Sequence, residues 1–266
     1  MAKEQTRTAG RWDKHWRCHD HDSIPNSKIK FAETVLEPIL ESLRNGNEIS
    51  LVDVGCGNGV HVEVIERFLE SQPEAKERFS GVAIDLSPEA LEATRRRVSS
   101  GRWSFTVGDA TSLELSSGSF DVVLSIGIIC LCDEPRQAIL EAIRLAKPDG
   151  RIAIYSNTDA SQVTRLGLGM LRLVGNRFGH PTRQAIAWAT APIIGRLNPG
   201  SGVSKADGGL ASSREIASTN LASPITNFLD VRDIRSWIQE TGATIDFEVP
   251  EHPFTAWCQA PQAPRA

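Results

Sequence analysis

Two kinds of residue in this chain are spaced to do chemistry. In the run LVDVGCGNG, glycines at 55, 57 and 59 follow a short apolar stretch, so the backbone can turn sharply and approach a ligand closely. The helix that follows would present amides and a positive dipole end, a setting that suits a carboxylate or a phosphate. About thirty residues on, Asp85 closes a second apolar run, GVAIDL, where its carboxylate can accept hydrogen bonds from a ribose diol. The pair points to an adenosine-bearing ligand. A dinucleotide fingerprint would want a third glycine at position 60, and Val60 stands there instead, which counts against NAD or FAD.

The elements that must position these residues alternate. Strand-like runs at 51–55, 81–86, 103–110, 120–127 and 150–157 are separated by segments of helical spacing such as VHVEVIERFLE and EPRQAILEAIRLAK. Ser87-Pro88-Glu89 has the chemistry of a helix start. Parallel neighbours need crossover helices, so the alternation predicts a doubly wound α/β core with ligands at the carboxyl ends of its strands. The pattern breaks after Asn157 and resumes with VRDIRSWIQETG, then ATIDFEV and PFTAWCQA as further strands. The expected organisation is an N-terminal helical arm (1–49), a core (50–157), a helical cap inserted after the fifth strand (158–229), and a closing helix with two strands (230–260).

The five motifs LVDVGCGNG, AIDLSPEAL, GDATSLEL, SFDVVLSIG and LAKPDGRIAIYS resemble, in order, successive motifs of class I methyltransferases, above all the ubiquinone-methyltransferase-like group. The resemblance implies a mostly parallel, seven-stranded, Rossmann-like sheet and S-adenosylmethionine as cofactor. It implies that Asp53 and the loop of Gly55, Cys56, Gly57 and Gly59 hold the methionine part, that Asp85 holds the ribose hydroxyls, and that Leu86 packs on adenine. Asp109 would accept from the adenine amino group with the Ala110 amide nearby, and Ser125 and Ile126 would lie beside the transferred methyl. Each also has a plain reading: Asp53 and Asp109 as turn or loop residues, Ser125 as a strand end. Where many relatives carry a His-His pair, this chain has Cys130 and Leu131, which predicts a drier segment.

Methyl transfer is an in-line displacement in which alignment supplies much of the acceleration. A hydroxyl or carbon acceptor also needs a base, and the arm RWDKHWRCHDHD offers His15, His19 and His21, with His15 the first candidate. Trp12 and Trp16, at helical spacing, either face the cofactor or simply anchor the arm. His180 and His252 are further candidates for the catalytic edge.

The cap contains two apolar helical faces, one through Val163, Leu166, Met170, Leu173 and Val174, the other through Ile186, Ala189, Ile193, Ile194 and Leu197 and interrupted by Pro192. Residues 158–230 carry seven basic and four acidic side chains, net +3, and NPGSGVSKADGG (198–209) suits a lid. A greasy, mildly basic cap predicts a hydrophobic or amphipathic small-molecule acceptor of natural-product or isoprenoid type. Alternatives are a membrane-surface lipid or quinone methyltransferase, with peripheral membrane contact through the cap, and a protein that binds the cofactor without methylating, as a regulatory subunit or cyclase.

The formal net charge of −4, from 29 basic and 33 acidic residues, gives nucleic acid no global attraction. The five cysteines suit reduced thiols. Cys130 and Cys132 stand too close for a metal knuckle and read as small buried hydrophobes, so no metal is expected. The absence of a signal-peptide core or membrane span predicts a cytoplasmic protein, monomer or homodimer.

Overall fold

A computed structural model describes residues 2–17, 26–156, 185–186, 189–190, 227, 229–249 and 254–262. The predicted cap at 158–229 lies almost wholly outside the described residues, with both apolar faces as such, the lid segment 198–209 and His180. Cys18, His19, His21 and His252 are outside them too.

Two helices precede the sheet, α1 (Ala2–Arg17) and α2 (Asn26–Arg44). The core then runs β1 (Ile49–Val54), α3 (Val60–Ser71), α4 (Pro73–Lys76), β2 (Phe79–Asp85), α5 (Pro88–Arg95), β3 (Trp103–Val107), β4 (Phe120–Ile126), a 3-10 turn at Ile129–Leu131, α6 (Pro135–Leu145) and β5 (Ala146–Ser156). It closes with α7 (Val231–Gln239), β6 (Thr244–Val249) and β7 (Phe254–Gln259). The seven strands lie in the order β3-β2-β1-β4-β5-β7-β6. The first five are parallel; β7 is antiparallel to both β5 and β6.

The parallel strands read as unbroken apolar runs because helices cover both faces. Leu51, Val52 and Leu124 are fully buried. On one face the core gathers Ile29, Leu36 and Leu43 of α2 with Ile65 and Leu69 of α3. On the other it gathers Ile139 and Ile143 of α6 with Ile234 and Ile238 of α7. Each is an amphipathic stripe buried against a sheet.

Chain order reverses at β1, with β2 on one side and β4 on the other, and the crevice at such a switch point is where ligands bind in open α/β sheets. The fold class matches the sequence expectation, with one difference at β5. Extended structure begins at Ala146, four residues before the predicted start, and runs through Lys147-Pro148-Asp149-Gly150. Asp149 carries the tight bend with φ 62°, a left-handed conformation that aspartate tolerates better than most residues. A side chain at Gly150 would meet the Lys147 carbonyl at 2.8 Å.

Candidate active site

The glycine loop after β1 is fixed by its own amides. Gly55 and Cys56 both donate to the Ile84 carbonyl, at 2.7 and 2.9 Å, and Gly59 donates to the Cys56 carbonyl at 2.9 Å. The Gly57 amide donates to Asp85 Oδ2 at 3.0 Å. Three of these four groups are committed to β2 and one to the loop itself, so they are not free to grip a phosphate as the dipole argument expected. What the loop offers is a close approach. Gly55, Gly57 and Gly59 all have positive φ, and a side chain at Gly55 would strike Ile128, at Gly57 Trp16, and at Gly59 Thr94.

Acidic groups face this loop instead. Asp85, 9% exposed, is gripped from two sides, by the Gly57 amide and by the Ser87 amide at 2.9 Å to Oδ1. Burial pushes its carboxyl up to about 6; the backbone donors at Ser87 and Gly57 pull the other way, and nearby Asp53 adds to the rise. Asp53 is fully buried, and neither of its oxygens is hydrogen-bonded. His61 Nδ1, itself buried, stands 3.5 Å from Asp53 Oδ2 without the alignment of a hydrogen bond. A pair of buried carboxylates, one lacking donors, is poised for a cationic or hydroxyl-rich ligand.

Beside Asp85 opens a cavity of about 110 Å³ whose floor is Gly55, Gly57, Asp85 and Leu86 and whose far wall is Gly108, Asp109, Ala110 and Thr111. Six of the sequence-predicted cofactor residues meet here: Gly55, Gly57, Asp85, Leu86, Asp109 and Ala110. Oδ1 of Asp109 is already engaged, accepting from the Thr111 amide at 2.9 Å and its hydroxyl at 2.7 Å, so the loop-ordering reading of this residue holds whatever else it does. Asp53, Cys56, Gly59, Ser125 and Ile126 do not line the cavity; Asp53 lies buried behind the glycine loop. Cys56 packs in the core, where burial pushes its thiol well above the ordinary range, and Ser125 is fully buried with its hydroxyl lacking a partner.

The cavity's other wall includes Trp12 and Trp16, for which the sequence left a cofactor-facing and an anchoring reading open; its remaining residues were not anticipated. Helix α1 lies over the site with Thr8, Trp12 and Trp16 on the lining, and the turn after β4 adds Ile128, Leu131, Cys132 and Asp133. Asp13 accepts from the Ser87 hydroxyl at 3.1 Å and the Glu89 amide at 3.4 Å, docking α1 on the start of α5. Thr8 donates to Asp133 at 3.0 Å. The tryptophan spacing was the only local signal of this contact. His15 is buried between them, edge-on to Trp12 at 5.4 Å and Trp16 at 5.7 Å, and does not reach the lining. Cys130 is buried as expected, whereas Cys132 reaches the cavity. Among the described residues no cluster of three or more histidine, cysteine or acidic side chains is placed to hold a metal.

A larger cleft of about 440 Å³ lies at the opposite, amino end of the sheet near Pro38, Asp121 and Trp257. Its two cations are already engaged: Lys147 holds Asp121 at 2.9 Å and Arg151 lies over the Trp257 ring. Chemistry belongs to the carboxyl edge.

Residues 52–154 match the family described as methyltransferase domain. This chain carries a class I, S-adenosylmethionine-dependent methyltransferase domain. The chain is 35% identical over 123 residues to the ubiquinone/menaquinone biosynthesis C-methyltransferase UbiE of Dinoroseobacter shibae, covering 44% of this chain and 45% of that protein. It is 26% identical over 193 residues to the demethylmenaquinone methyltransferase of Renibacterium salmoninarum, covering 72% and 65%. The chain thus spans about half to two thirds of the length of these curated relatives. A solved O-methyltransferase family protein from Burkholderia thailandensis shares the fold, with a TM-score of 0.54 at 15% identity over 90% of this chain and 59% of that one. The cofactor of this family fits the site: its ribose suits the doubly anchored Asp85, and the ammonium group of its amino-acid end suits a buried Asp53 that lacks donors.

Proposed function

We propose that the protein transfers a methyl group from S-adenosylmethionine to a hydrophobic or amphipathic small molecule of natural-product or isoprenoid type. One observation carries the reading: the amides at 55, 56, 57 and 59 are consumed by β2 and the loop while the buried Asp53 carboxylate has no donor and Asp85 lines the cavity, a site for a cationic nucleoside and not for a pyrophosphate. Bound there, the cofactor supplies an electrophilic methyl on a sulfonium.

In this reading Asp85 receives the ribose hydroxyls, and Asp53 with the loop from Gly55 to Gly57 receives the amino-acid end. Leu86 packs on adenine, Asp109 and the Ala110 amide bind its edge, and the Ser125 and Ile126 backbone lies beside the methyl. The protein's contribution is alignment and exclusion of water. Trp12, Trp16, Ile128 and Leu131 give the cavity an apolar wall, which supports an apolar acceptor, as do relatives named for ubiquinone, menaquinone and demethylmenaquinone chemistry. The inserted segment 158–229 is proposed as the acceptor cap.

A cytoplasmic location belongs to the same proposal. Among the described residues no helix is long and apolar enough to cross a membrane, and the four described cysteines are free thiols, which suits a reducing compartment.

Calorimetric titration with S-adenosylhomocysteine tests the reading. Saturable one-to-one binding that Asp85→Ala abolishes, followed by S-adenosylhomocysteine release with phenolic or quinol acceptors, is the expected result. A folded wild-type protein that binds nothing would overturn it.

A further inference from the structure

The two acidic residues of the site are held in different ways. Asp85 is oriented by two backbone amides, from Gly57 and Ser87. Asp53, two residues before the glycine loop, has none, although it is fully buried and a buried carboxylate without donors is strongly disfavoured. Among the described residues the one basic side chain within 4.0 Å of it is His61. That histidine is the second residue of α3, directly after the left-handed turn at Gly59 (φ 81°), so the turn that opens the cofactor loop also delivers the imidazole. His61 is 6% exposed and its Nδ1 has no hydrogen-bond partner.

We propose that His61 is a positioning residue for the amino-acid end of the cofactor: its Nδ1–H engages Asp53 Oδ2 and leaves the other carboxylate oxygen to receive the ammonium. The inference rests on the methyltransferase reading above. Neither group has another role in the fold that satisfies it. The Nδ1 stands 3.5 Å from Oδ2 with no other hydrogen-bond partner, and Oδ1 likewise accepts from no group of the protein. Asp85 and the Cys56 thiol, the other titratable groups acting on this spot, are acidic and provide no cation.

The test compares two ligands that differ at the relevant end. S-adenosylhomocysteine carries the amino acid, and adenosine lacks it while keeping the groups assigned to Asp85 and Asp109. Calorimetric affinities for both are measured on the full chain as wild type, His61→Leu and His61→Asn, with melting temperatures in parallel. The Asn amide offers a donor near the place of Nδ1; Leu offers none. His61→Leu is expected to weaken S-adenosylhomocysteine about tenfold or more while adenosine changes less than about twofold, and His61→Asn to restore most of the loss. An unchanged ratio of the two affinities, a ratio that rises in His61→Leu, or parallel losses that track the melting temperature would overturn the proposal. Failure of the wild type to bind either ligand would instead defeat the cofactor reading on which it depends.

Discussion

The Gly57 amide donates to Asp85 Oδ2 at 3.0 Å, tying the loop after β1 to the tip of β2. This contact fixes the carboxylate from the loop side, while the Ser87 amide fixes it from the start of α5. Both strands and both following helices therefore define one acceptor.

Burial, opposed by those two amides and reinforced by Asp53, sets the Asp85 carboxyl at about 6. Ribose hydroxyls donate to the ionised form, so affinity for S-adenosylhomocysteine should be flat above about pH 7 and fall roughly tenfold per pH unit well below 6. The sign for folding runs the opposite way. Because the folded-state value lies above the ordinary value of 3.8, the ligand-free fold loses stability through this group as pH rises from 3.8 to about 6. Titrations from pH 5 to 8 check the binding arm; a level affinity across that range would remove Asp85 from the site.

Gly55 should resist substitution for two separable reasons. At φ 75° any side chain is strained, and a Cβ would sit 2.2 Å from Ile128 Cγ2. Gly46 has φ 88° with nothing within 4 Å, so it reports the strain alone. Urea denaturation should show Gly46→Ala losing about 1 kcal/mol and Gly55→Ala about 3 kcal/mol. Equal losses would mean that Ile128 moves aside freely.

Glu66 organises the approach to β3 from α3. Its buried carboxylate accepts from the Ser99 and Ser100 amides, both at 2.8 Å, and from Trp103 Nε1 at 2.9 Å. Glu66→Ala strands these donors and should lower stability by about 3 kcal/mol in a urea series. Affinity for S-adenosylhomocysteine, measured below the new melting temperature, should stay within about twofold of wild type.

Trp12 and Trp16 form part of the cavity wall, and at about 110 Å³ the cavity is smaller than the roughly 300 Å³ at which ligand pockets begin. Ligand entry should therefore displace α1 and change the tryptophan fluorescence. Trp12→Phe combined with Trp16→Phe should remove at least half of that change, read in a stopped-flow titration. A full-sized signal in the double variant would assign it to Trp103, Trp188, Trp237 or Trp257.

The α/β alternation, the glycine loop, Asp85 and the capping turn at Ser87 were legible in the sequence because each depends on neighbours a few residues away: apolar periodicity, positive φ and side-chain capping are local properties. The early start of β5 was not, since its first residue, Ala146, pairs with Phe120 on a different strand. Tertiary structure alone decided that Thr8 and the turn after β4 complete the cavity and that His15 does not reach it. Asp13 meets Ser87 and Thr8 meets Asp133 across separations of 74 and 125 residues, and these contacts lay α1 over the loop with Trp12 and Trp16 inward and His15 behind them. It also decided that the loop amides are spent on Ile84 and Asp85. A local motif specifies that amides exist; only the packing of β2 against β1 determines what they bind, and it set the loop amides to bracing Ile84 and Asp85 in place of an anion.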